Sequence, residues 1–144
     1  MSTVREATAV WDGNIESGSG SIDLGANAQG SFDKTTRFSP DAGHNPETLA
    51  AGAQAGCYAM ALASALAEAG FTPSEIRVSA RVILDTKNDG QPFIPTVDIN
   101  ARAQVNNIGH DRFLAIADKA RSNCPVANLY AGAEITLEAD MIGG

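Results

Sequence analysis

The sequence predicts an α+β fold, a mostly antiparallel sheet of about six strands around one long central helix. Three observations predict it. The stretch Asn45–Gly70 (NPETLAAGAQAGCYAMALASALAEAG) is rich in alanine and carries no charge from Leu49 to Ala67. Glu75–Thr86 and Phe93–Asn106 alternate apolar with polar residues on either side of Lys87-Asn88-Asp89-Gly90, the pattern of a half-buried hairpin. Most other apolar segments are also separated by turn signals, so antiparallel neighbours should outnumber crossovers.

Taken in order, Thr3–Trp11 (TVREATAVW) alternates loosely and reads as a strand, with Asp12-Gly13-Asn14 as a hairpin turn. A second strand runs from Asn14 towards Leu24, its middle weakened by Ser17-Gly18-Ser19-Gly20. Gly25–Gly30 is a turn, Ser31–Phe38 a third short strand, and Ser39–His44 a loop. The central helix then starts on three signals: Asn45 as a side-chain cap, Pro46 at the first helical position, and Glu47 in the first turn. Gly70 stops it, with Pro73 beyond. In Glu75–Thr86, Ile76, Val78, Ala80, Val82 and Leu84 share one face; in the partner strand Val97, Ile99, Ala101, Ala103 and Val105 do. Asp111–Ser122 has helical spacing, with Phe113, Leu114, Ile116, Ala117 and Ala120 as its apolar stripe. Cys124-Pro125 interrupts it and opens a short second helix. Ala133–Ala139 is the last strand. The order is β-β-β-α-β-β-α-α-β. A long helix apolar on every side needs more cover than one such sheet supplies, which points to a second copy of the chain in a homodimer.

The 144 residues suffice for a single domain, 1–144, with a proper core. With 44% hydrophobic and 19% charged residues the composition is that of a globular protein. A net charge of −7, without a basic cluster, argues against a nucleic-acid surface. The N-terminus lacks the pattern of a signal peptide. Leu49–Ala67 has the length of a membrane span, but its alanine content, Gln54 and the closing Glu68 favour a buried helix and a cytoplasmic protein.

Chemistry centres on Cys57, near the middle of the helix, and Cys124, before Pro125. No local CxxC joins them, and each has the plain alternative of a small buried hydrophobe. Cys124 stands where the exposed amides of a helix start would favour a thiolate. His44 and His110 share no ligand spacing with either cysteine, so no metal site is expected. No Cys–His hydrolase signature is visible.

The stretch Arg37-Phe38 … Asn45-Pro46-Glu47-Thr48-Leu49 … Ala55-Gly56-Cys57-Tyr58-Ala59-Met60, with Cys124-Pro125-Val126 and Ala133–Ala139 following, resembles the OsmC/Ohr family of thiol peroxidases, and its osmotically inducible (OsmC) branch in particular. The resemblance covers essentially the whole chain in order. Gln54 is a departure, since relatives often have histidine there. The resemblance implies an OsmC-like fold, an intertwined homodimer and no cofactor. It implies that Cys57 is the peroxidatic cysteine, Cys124 the resolving one, Arg37 the guanidinium partner of the thiolate, and Glu47 the carboxylate orienting that arginine. Organic hydroperoxides are the implied substrate, with hydrogen peroxide reduced less well, and a dithiol, a lipoyl group on a protein, is the implied reductant. Phe38, Tyr58 and Met60 are candidates to receive a hydrocarbon tail. The alternative is a non-catalytic, stress-related binding or structural protein on the same fold. Ten residues of helix rise about 15 Å, too far for one guanidinium to join Glu47 and Cys57 easily. Either the helix breaks near Gly52 or Gly56, or the Arg37–Glu47 pair serves the partner's thiol; the second is preferred.

Overall fold

The computed structural model describes residues 6–12, 16–25, 28–38 and 44–142. The chain divides into two compact units, Met1–Leu49 and Ala50–Gly144.

In the first unit, β1 (Thr8–Asp12), β2 (Ser19–Asp23) and β3 (Gln29–Phe32) form an antiparallel meander in that order. Trp11 and Phe32 both pair with Gly20, and their rings meet at 5.5 Å. The expected turn at Asp12-Gly13-Asn14 lies partly outside the described residues, but β1 pairs Asp12 with Ser19, so the strands are joined by more than a two-residue turn. The strand expected over Ser31–Phe38 ends at Phe32. A helical turn, α1 (Lys34–Phe38), takes its place. Asp33 Oδ1 accepts from the Thr36 amide at 2.8 Å, and Thr36 Oγ1 accepts from the Asp33 amide at 2.9 Å. This reciprocal capping closes the turn before a strand can continue. The expected loop Ser39–His44 lies outside the described residues up to 43; His44 itself lays its ring against Gly30, where any Cβ would collide with it.

Helix α2 (Pro46–Glu68) starts where its signals place it: Asn45 Oδ1 accepts from the Thr48 amide at 2.7 Å. It ends on Gly70, whose φ of 90° lets the Phe71 amide reach back to the Leu66 carbonyl at 2.8 Å.

The second unit holds α2 from Ala50 onward, then β4 (Pro73–Thr86), β5 (Pro92–Val105), α3 (His110–Ser122), α4 (Pro125–Leu129) and β6 (Glu134–Met141). Strands β4 and β5 form the expected hairpin, with Val82 opposite Val97 and Ala80 opposite Ile99. Strand β6 pairs with the other edge of β5, and it does so in parallel. Two helices intervene between β5 and β6, and such a crossover returns the chain to the end where it started. The Thr136 hydroxyl fastens this parallel pair by donating to Asp98 at 2.6 Å. The described strands therefore form two three-stranded sheets, one antiparallel and one mixed, rather than a single sheet of six.

The core of this unit joins Val97, Ile99, Ala101 and Ala103 of β5, Phe113, Ala117 and Ala120 of α3, and Tyr58, Leu62 and Leu66 of α2. On α2 the fully buried residues are Gln54, Tyr58, Leu62 and Leu66, one stripe at a spacing of four. Gly52, Ala53, Gly56, Met60, Ser64 and Ala67 are exposed. Within one chain the helix therefore buries one face, not its whole circumference as the sequence suggests. By length and composition α2 could cross a membrane, yet its buried stripe packs in protein. Replacing Leu62, with no exposed surface, by alanine should cost about 2–5 kcal/mol, seen as a lower urea midpoint. A loss below about 1 kcal/mol would contradict this packing.

Candidate active site

The fold brings the two cysteines together. Cys57 lies beside the buried stripe of α2 and is partly exposed; Cys124 is fully buried. Helix α3 ends at Ser122, and Cys124 is the cap residue of α4, with Pro125 at the first helical position. That short break between helices sets the Cys124 thiol to donate to Cys57 Sγ at 3.3 Å. Behind it, Gln54 Nε2 donates to Cys124 Sγ at 3.4 Å. The three side chains form a line: amide, buried thiol, partly exposed thiol.

The opening amides of α4 serve a different sulfur from the one expected. Cys124 makes no side-chain capping bond, whereas the Val126 amide donates to Cys57. Burial pushes the Cys57 thiol up from its ordinary value, the Val126 amide pulls it down, and the neighbouring Cys124 pushes it up again. Among the described residues no cation belongs to this set. A fixed positive charge beside the sulfur would favour the thiolate.

In the first unit, Arg37 and Glu47 also come together. Glu47 Oε1 accepts from Arg37 Nη2 at 2.8 Å and from Nε at 3.0 Å, while Oε2 lies 3.3 Å from Nε. The carboxylate is largely buried, with a side-chain exposure of 11%, and the guanidinium keeps 38%. Arg37 sits on the last turn of α1 and Glu47 on the first turn of α2. Asn45 links these elements by donating to the Thr36 carbonyl at 3.1 Å while capping α2. One edge of a permanently charged group is thus held in place. Helix α2 runs unbroken through Gly52 and Gly56.

Of the three candidates for an apolar substrate site, Tyr58 is misplaced. It is wholly buried in the core and its hydroxyl donates to the Ala117 carbonyl at 2.8 Å. Burial, with Asp118 nearby, holds its phenol well above the usual range. Met60 and Phe38 are exposed, and the Arg37 guanidinium stands 5.5 Å from the Phe38 ring centre. The second unit also has an apolar cleft of about 260 Å³ between α2, β4, β5 and the end of α4, lined by Ala50, Val82, Ile94, Val97, Leu129 and Tyr130. The Tyr130 hydroxyl closes one corner by donating to the Ala50 carbonyl at 3.1 Å.

Sequence reasoning missed two members of the thiol site. Gln54 is one, and its signal was available: a polar residue in an otherwise apolar stripe, one turn ahead of Cys57. The Val126 amide is the other; a backbone group leaves no mark in composition.

Residues 39–139 match the family described as OsmC-like protein. The chain is 37% identical over 140 residues to the peroxiredoxin OsmC of Escherichia coli K12, covering 96% of each. Its fold is similar to that of an organic hydroperoxide resistance protein from Elizabethkingia anophelis, with a TM-score of 0.76 at 21% identity over 99% of this chain and 100% of the other. It is also similar to an OsmC-like protein of unknown function from Vibrio cholerae, with a TM-score of 0.77 at 14% identity over 96% and 100%.

Proposed function

The chain belongs to the OsmC-like family and is a cysteine-based peroxide reductase; from this premise we propose that Cys57 attacks the peroxide and Cys124 resolves the product. The observation that carries the assignment is the 3.3 Å between the two sulfurs, one partly exposed and the other buried behind it. The Cys57 thiolate displaces one peroxide oxygen, breaking the O–O bond. This leaves a sulfenic acid on Cys57 and an alkoxide that takes up a proton to become an alcohol. Cys124 then attacks the oxidised sulfur. The S–S bond forms as the S–O bond breaks, and the hydroxide departs with the Cys124 proton as water. An external dithiol restores both thiols by exchange. A lipoyl group on a protein is the reductant we favour.

Arg37 supplies the missing cation, held by Glu47, and faces the developing alkoxide as well as the thiolate. The rise of about 15 Å along ten helical residues, on a helix α2 that continues through Gly52 and Gly56, supports a pair acting on the thiol of a second copy. The exposed face of α2, formed by Gly52, Ala53, Gly56 and Met60, is small and apolar enough to seat that copy closely. The protein is then a homodimer, each chain a single functional domain in the cytoplasm. Organic hydroperoxides are its preferred substrates, with hydrogen peroxide slower. The apolar cleft beside α2 and α4 suits an alkyl tail better than the core residue Tyr58 does.

Thiol counting tests the assignment. One equivalent of cumene hydroperoxide should remove both thiols together, and a dithiol should restore both. Cys124→Ser should react once per chain and then stall, with sulfinic acid accumulating on Cys57. Slow, independent loss of the two thiols would instead fit a binding protein with cysteines as packing.

A further inference from the structure

Gln54 has no exposed surface, and its Oε1 is buried without a partner among the described residues. An amide in this state costs stability, because desolvation of the carbonyl is not repaid by a hydrogen bond. The rest of its stripe, Tyr58, Leu62 and Leu66, fills the core with mainly apolar surface. Packing alone would place an aliphatic residue at 54. Among the described residues the one bond the amide makes is from Nε2 to Cys124 Sγ.

We propose that Gln54 is a positioning residue of the resolving step, its amide N–H holding the charge on the Cys124 sulfur while that sulfur attacks the Cys57 sulfenic acid. The inference rests on the peroxidase reading above. Its physical basis is a difference between two states of one atom. A thiol sulfur is a weak acceptor, whereas a thiolate is an anion, and hydrogen bonds to charged groups are markedly stronger. The bond from Nε2 therefore strengthens as Cys124 loses its proton, which is the form that must attack. Cys124 is fully buried, so bulk solvent does not take that role. Nε2 already faces this sulfur while both cysteines are free thiols, so the amide need not rearrange when the charge forms. A carboxylate or an aliphatic group has no such donor.

The test is quenched-flow mass spectrometry on full-length wild type, Gln54→Met and Gln54→His with cumene hydroperoxide, following sulfenic acid and disulfide separately from pH 6 to 9. Gln54→Met should form sulfenic acid within about threefold of wild type. Its disulfide step should slow by about tenfold or more at pH 7, the effect of one lost hydrogen bond to a charged group. The pH midpoint of that step should move up by about one unit, with more sulfinic acid formed. Gln54→His, which restores a donor, should recover most of the rate. Unchanged disulfide rates and midpoints in Gln54→Met would overturn the proposal. So would equal slowing of both steps, which is the signature of packing alone. A second measurement leaves Gln54 intact: in Cys57→Ala, the Gln54 side-chain amide resonance should shift as Cys124 ionises, and an unmoved resonance overturns the proposal. If wild type forms no sulfenic acid at all, the peroxidase reading fails and this inference goes with it; normal oxidation with no effect at Gln54 removes the inference alone.

Discussion

Cys57→Ser is expected to abolish peroxide consumption, with a loss of at least about 10⁴-fold in the second-order rate with cumene hydroperoxide. Serine keeps the size and the hydrogen-bonding geometry, so α2 and the bond from Val126 should persist. What disappears is the nucleophile: a hydroxyl stays protonated at neutral pH, where a supported thiol ionises. Cys124 does not take over, because it is wholly buried and its thiol is engaged with position 57. Stopped-flow consumption of peroxide is the measurement. A variant that keeps more than about 1% of the wild-type rate, far above the loss expected for a removed nucleophile, would move the attack to another group.

The parts of this site that lie on strong local signals were legible in the sequence. The start of α2 was readable from Asn45-Pro46-Glu47, and its stop from Gly70, because capping and positive φ are local demands on residue type. The β4–β5 hairpin was readable from strict alternation around Lys87–Gly90. The turn over Lys34–Phe38 was missed, since a single helical turn has no periodicity to detect; its signal lay in the Asp33–Thr36 side-chain exchange. The parallel pairing of β6 was missed because strand direction depends on what two intervening helices do together. The meeting of Cys57 and Cys124 was implied only by resemblance, as spacing along the chain says nothing about two distant thiols. Gln54 was seen and given no role, because its partner sulfur lies seventy residues away.

Arg37→Met carries the other large effect. Burial and the adjacent Cys124 raise Cys57 above its ordinary value of 9.0, and the Val126 amide offsets only part of this. A thiol held up in this way is mostly protonated at pH 7. Removing the proposed cation should therefore slow hydroperoxide reduction by about 100- to 1,000-fold at pH 7, combining the lost thiolate with the lost support for the alkoxide. The sign with pH follows from the reactive form being the deprotonated one: the variant should gain about tenfold per unit between pH 7 and 9, while wild type stays nearly flat. Because Arg37→Met strands the largely buried Glu47 carboxylate, the double variant Arg37→Met with Glu47→Leu separates lost charge from lost fold. It should be equally slow and more stable. Which chain's thiol the arginine serves is decided by mixing. A Cys57→Ser chain retains Arg37, and an Arg37→Met chain retains Cys57, so each homodimer is dead or nearly so. If the pair acts across the interface, every mixed dimer rebuilds one intact site. Random co-assembly of equal amounts should then return about a quarter of wild-type activity, from half the dimers and one site in each. If Arg37 serves its own chain, the mixed dimer has no complete site, and the mixture stays as inactive as its parts.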